Sequence, residues 1–106
     1  MISSQMRKNL KILHSLKFIH GDIKPDNISW SGKKQKFVLL DFGFARPVKQ
    51  DIGYFTLTKK YFGTYSYSSN EMQKLFMLKS PLYVDLYFND LCGLIKSENL
   101  FKLFMK

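Results

Sequence analysis

An α+β fold, mostly helical with one small β-hairpin, is the expectation for this chain of 106 residues. Apolar residues recur at helical spacing near the N-terminus, two short β-prone runs flank a polar turn, and helical spacing returns after Pro81. Hydrophobic residues make up 45% of the chain and charged residues 24%, which places it among globular sequences and limits it to one domain. A unit this short buries only about 60–70% of the surface its unfolded chain exposes, so marginal stability is expected. The single cysteine, Cys92, excludes an internal disulfide and a cysteine-based structural zinc site. Basic residues interrupt the N-terminus where a signal peptide needs an apolar core, and no apolar run approaches membrane-spanning length. These features imply a soluble protein of a reducing compartment, the cytoplasm or the nucleus.

Each element follows from its local pattern. Ile2, Met6, Leu10 and Leu13 recur at intervals of four and three, which lines one face of a helix and assigns residues 1–19 to it. The octet HGDIKPDN, residues 20–27, reads as a loop, because Pro25 disfavours helical geometry at Lys24 and the Asp and Asn residues favour turns. Ile28 to Trp30 and Phe37 to Leu40 form a hairpin over residues 28–40, with the polar Ser31 to Lys34 stretch at its turn. From Phe42 to about Asn70 there is little periodicity, and glycine, hydroxyl and tyrosine residues predict a long, adaptable loop. Residues 72–106 are expected to be helical, with Leu91, Leu94, Ile95, Phe101 and Met105 along one face of a helix from Asp90 to Lys106.

Seventeen basic residues against eight acidic give a net charge of +9, enough to attract phosphates of any kind. The lysines are scattered, densest at Lys33, Lys34 and Lys36, so charge alone reads as a solvated surface and makes nucleic-acid binding the weakest reading. The acids are more informative. None precedes Asp22, and Asp22, Asp26 and Asp41 then fall close together. Asp22 and Asn27 share one loop, and Asp41 ends the hairpin nineteen positions after Asp22, so one turn can gather all three. Phosphoryl transfer needs little covalent help from a protein. It needs a carboxylate to accept the proton of the attacking hydroxyl, and oxygen ligands that hold magnesium against the phosphates. Asp22, Asn27 and Asp41 supply that set.

The loop HGDIKPDN resembles the catalytic loop of eukaryotic protein kinases, and Asp41-Phe42-Gly43 resembles their magnesium-binding DFG motif, in the family's order and near its spacing. The resemblance implies that Asp22 is the catalytic base, that Asn27 and Asp41 bind Mg2+, and that Lys24 is a catalytic cation steadying the phosphoryl group of ATP. It gives His20 a structural place in the loop, Phe42 a place packed beneath it, and Gly43 a hinge, with Arg46 extending the motif. FGTYSYSSNEM, residues 62–72, resembles the end of a kinase activation segment spanning 41–71, with Thr64 in the substrate loop and Glu71 at the end of the family's Ala-Pro-Glu motif, although that alanine and proline are missing. NDLCGLI resembles the start of the buried helix that follows. Asp90 then takes the place of the aspartate bracing the catalytic loop, with Asp85 as the competing assignment. DIKPDN and SSNE look closest to the casein kinase branch.

Departures from the family pattern matter as much. Gly21 stands where most regulated kinases carry an arginine that pairs with a phosphate on the activation segment, so that switch is expected to be absent. No GxGxxG loop and no VAIK-like lysine strand occur in these residues, so the resemblance implies the lower lobe of a kinase without the ATP-clamping upper lobe. The function implied is a serine/threonine kinase acting with ATP and Mg2+ on a protein substrate, feeble or inactive as this chain alone. Two other readings stand beside it: a catalytically dead scaffold, and a small-molecule phosphotransferase of the aminoglycoside or choline kinase type, a group that usually lacks a lysine at the position of Lys24.

Overall fold

The computed structural model describes residues 2–104, and side chains from residue 4 onward. Met1, Met105, Lys106 and the side chain of Ile2 lie outside the described residues. Among these residues no helix is long and apolar enough to cross a membrane.

Helix α1 runs Ile2–Ser15 and buries Met6 and Leu10, the two apolar residues at its centre. It is shorter than the expected 1–19. Bonds from the Leu16 and Lys17 amides to the Leu13 and His14 carbonyls tighten its last turn, and Lys17 then adopts a left-handed φ of 63°. That turn redirects Phe18–Ile19 into a strand, β1, which buries Ile19. A 3-10 turn over Pro25–Asn27 leads into β2, Ile28–Ser31, which pairs antiparallel with β3, Lys36–Leu39. The hairpin occupies the expected place. Its turn is held by Ser31 Oγ, which accepts from the Lys34 amide, and by Gln35 Nε2, which donates to the Gly32 carbonyl.

The segment expected to be one long loop carries more structure than its composition indicates. Arg46–Pro47, β4, pairs with β1, and Thr56–Thr58, β5, pairs with Leu82–Val84, β6. A 3-10 turn over Tyr65–Tyr67 precedes α2, Asn70–Leu78, whose first turn is capped by Ser69 Oγ accepting from the Met72 amide. Strand β6 also interrupts residues 72–106, expected to form the C-terminal helical part. The last helix, α3, spans Leu86–Phe104 and begins four residues before the expected Asp90. Its buried face is Leu86, Asn89, Asp90, Gly93, Leu94, Ser97 and Glu98, a stripe at helical spacing that is largely polar. Ile95, counted on the apolar face, is exposed.

Two apolar clusters result. One joins α1 to the hairpin and α3 through Met6, Leu10, Ile23, Ile28 and Leu94; the other gathers Ile19, Phe62, Met72, Leu75, Val84 and Leu86 around α2 and β6. The loop of residues 20–27 runs between these clusters, with Ile19 in one and Ile23 in the other.

Candidate active site

The loop is fixed first by a buried carboxylate. Asp90, in the first third of α3, is 1% exposed and accepts from the His20 amide through Oδ2 and from the Gly21 amide through Oδ1, both at 2.9 Å. The same Oδ2 lies 2.9 Å from His14 Nε2 on α1. Three polar partners on one carboxylate offset its loss of water, and they tie α1, α3 and the loop together. Asp85, the competing residue, sits elsewhere: its Oδ1 accepts from the Phe88 amide and caps α3.

His20 is fully buried. Its Nδ1 accepts from the Asp22 amide at 3.1 Å and its Nε2 donates to the Leu40 carbonyl at 2.8 Å, the pattern of an imidazole carrying its proton on Nε2. One side chain thereby links the start of the loop to the end of β3. Phe42 meets the His20 ring edge to face at 4.9 Å, yet remains 52% exposed, so it flanks the loop on one side rather than lying wholly beneath it.

Three side chains converge on Asp22. Thr64 Oγ1 donates to Asp22 Oδ1 at 2.8 Å, and Lys24 Nζ lies 3.8 Å from Oδ2. Asn27 Nδ2 donates to the Asp22 carbonyl at 2.8 Å and lies 3.4 Å from Oδ2. The negative charge is felt nearby: the Tyr61 phenol is held above its ordinary value chiefly by burial and further by Asp22, against a lowering from its bond to Ser68 Oγ. A small cavity of about 10 Å³, room for one water at most, is lined by Gly21, Asp22, Thr64 and Asp90 among others.

Asp41 is placed by backbone. Leu40 donates its amide to the Asn27 carbonyl at 2.8 Å and receives His20 Nε2 on its own carbonyl. Asp41 follows in a left-handed conformation, φ 54°, with an exposed carboxylate whose Oδ1 accepts from the Gly43 amide at 3.1 Å. The side chains of Asn27, Lys24 and Thr64 thus each reach Asp22, whereas the Asp41 carboxylate is engaged with its own turn. Glu71 lies in the first turn of α2, half-buried. Arg46 stacks over the Phe62 ring at 3.8 Å, beside the Phe44 carbonyl that its Nε reaches at 3.2 Å.

Among the described residues no group of three or more His, Cys, Asp or Glu side chains forms a metal cage. The donor chemistry still suits magnesium, which takes one or two protein oxygens and leaves its other positions to water and phosphate. Asn27 spends its amide nitrogen on Asp22, which leaves Oδ1 as its available donor, and the Asp41 carboxylate keeps acceptor capacity at the surface.

Three contributors escaped the reading of the sequence. His14 reaches Asp90, Asn89 Oδ1 accepts from the Ser69 amide at 2.7 Å, and Lys96 Nζ donates to the Ser68 carbonyl at 2.7 Å. Asn89 and Asp90 belong to a polar stripe that continues at helical spacing to Ser97, and that periodicity was the available signal.

The protein kinase domain family matches residues 1–83 of the chain. Mitogen-activated protein kinase kinase 7 of Arabidopsis thaliana is 36% identical over 69 residues, which cover 65% of this chain and 21% of that protein. The matched stretch therefore spans about a fifth of that relative's length. The casein-kinase likeness of the loop and of SSNE gains no support from this relative. A loop, HGDIKPDN, held by a buried aspartate, a DFG turn tied to it through the strand before, and a family match over most of the sequence lead to one conclusion: the chain belongs to the protein kinase family.

Proposed function

We propose that these residues form the lower-lobe catalytic core of a serine/threonine protein kinase that transfers the γ-phosphate of ATP to a protein hydroxyl. The convergence of Thr64, Lys24 and Asn27 on the Asp22 carboxylate carries this reading. Asp22 accepts the proton of the attacking hydroxyl. Thr64 donates to one carboxylate oxygen and leaves the other beside the Lys24 ammonium, which offers its positive charge. Asn27 Oδ1 and the Asp41 carboxylate are the residues that would hold Mg2+. Bound there with ATP, the ion would neutralise charge on the phosphates and orient the terminal one.

Without a glycine-rich loop the phosphates lack donors normally worth several kcal/mol of transition-state stabilisation, so weak turnover is expected from this chain alone. Nucleotide binding and transfer are therefore measured separately. Mg-ATP should raise the melting temperature of the wild-type chain, and Asp41→Ala should remove the rise while the chain stays folded. Radiolabelled ATP offered with casein, a basic protein, choline and an aminoglycoside should label protein, and Asp22→Asn should abolish the label. Label on choline or the aminoglycoside would favour a small-molecule phosphotransferase. A folded chain with no thermal response would favour a scaffold.

A further inference from the structure

Both arms of the segment between residues 44 and 64 come back to Gly21. A Cβ at Gly21, φ 91°, would lie 2.8 Å from the Phe44 carbonyl oxygen and 3.0 Å from Phe44 Cβ. A Cβ at Gly63, φ 99°, would lie 2.7 Å from the Gly21 carbonyl oxygen. Backbone thus packs on backbone at two successive points, in conformations that favour glycine, and any side chain would push the arms off the loop. The arms are also joined to each other, since Phe44 stacks with Phe62 at 6.2 Å and Arg46 covers the same ring. Gly21 itself is immobilised from behind by Asp90 Oδ1.

We infer that Gly21 and Gly63 are positioning residues whose direct backbone contact seats Thr64 on Asp22 without a phosphate on the segment. The inference rests on the kinase reading for the meaning of Asp22, but its test requires no turnover, so an inactive chain and an unseated segment are told apart. An arginine at position 21 is incompatible with this packing, because its Cβ would overlap Phe44. Charge pairing with a phosphate is replaced here by steric fit.

The test uses the full, unphosphorylated chain and two readouts, amide exchange by residue and the carboxyl 13C resonance of Asp22. Gly63→Ala should speed exchange at Tyr67, Ser68 and Val48 by about tenfold or more, the scale of a local opening, while α1 and α3 keep their protection. It should also move the Asp22 resonance to the position it takes in Thr64→Val, which removes the hydroxyl alone. Gly53→Ala is the control: Gly53 has φ 58°, yet a Cβ there meets nothing within 4 Å, so it brings backbone strain without the contact. Equal effects of Gly53→Ala and Gly63→Ala, or an unmoved Asp22 resonance in folded Gly63→Ala, would overturn the inference. Should Gly63→Ala unfold the whole chain, Thr64→Val decides. Retained protection at Tyr67, Ser68 and Val48 supports a seat made by the glycines, and lost protection shows that the hydroxyl was the holder.

Discussion

Tyr87 shows how one atom sets a local balance. Its ring packs edge-on against His14 at 4.8 Å, but its hydroxyl is buried with no hydrogen-bond partner. A buried hydroxyl without a partner costs about 1–3 kcal/mol, so Tyr87→Phe should stabilise the chain by about 1 kcal/mol and raise its melting temperature at pH 7. A fall instead would mean that the hydroxyl is satisfied. The same burial, with the nearby Asp85 charge, raises the phenol above its ordinary value of 10.0. The folded state holds this proton to a higher pH than the unfolded chain does. This contribution is therefore complete below pH 10.0 and is lost as pH climbs from there through the raised value. Thermal melts of wild type and Tyr87→Phe at rising pH should show a shallower alkaline loss in the variant.

At the scale of elements, α1 and α3 meet through a charge that the fold holds poorly. Glu98 is 8% exposed and its Oε1 lies 3.3 Å from the half-exposed Arg7 guanidinium, yet that oxygen has no aligned hydrogen bond. Burying such a carboxylate costs more than an imperfect ion pair returns, and Arg7 loses little when solvated alone. Glu98→Met should therefore raise stability by about 1 kcal/mol, which for a domain of this size is about 4–8 °C in melting temperature. A drop of similar size would show that the pair is a net stabiliser.

The polar character of α3 also explains which elements the sequence made legible. Helix α1 and the hairpin β2–β3 have apolar patterns of the right period, and they stand close to where those patterns put them. In α3 the buried positions are mostly Asn, Asp, Gly, Ser and Glu, so counting apolar residues started the helix at Asp90 and put Ile95 on the wrong face. Strands β1, β4, β5 and β6 have two or three residues each, too few for alternation to register, and exist because distant partners pair with them. Asp22, Asn27 and Asp41 stood out in the sequence because the family's motifs fix residue type at set spacings. The choice between Asp85 and Asp90 was not legible, since both lie near the start of the same helix and only packing decides which one faces the loop.

For the molecule as a whole, two features oppose each other. Apolar side chains including Ile12, Leu16 and Phe42 are exposed beside one another, lining or flanking a hollow of about 290 Å³ between α1 and β3. Such patches promote association, whereas a net charge of +9 keeps copies apart. Salt shortens the reach of that repulsion to about 3 Å at 1 M, so sedimentation should show a monomer at low salt and larger species as salt rises. A chain that stays monomeric at high salt would mean that the apolar surface is too dispersed to pair.

The proposed roles of Asn27 and Asp41 require both to face a common metal-bound nucleotide, and paramagnetic relaxation by Mn-ATP measures that directly. Added in small amounts to the folded, isotope-labelled chain, Mn-ATP should broaden the resonances of Asn27, Asp41 and Gly43 first, and Asp41→Ala should abolish the effect. Broadening centred on another surface, or none while the chain remains folded, would contradict the account.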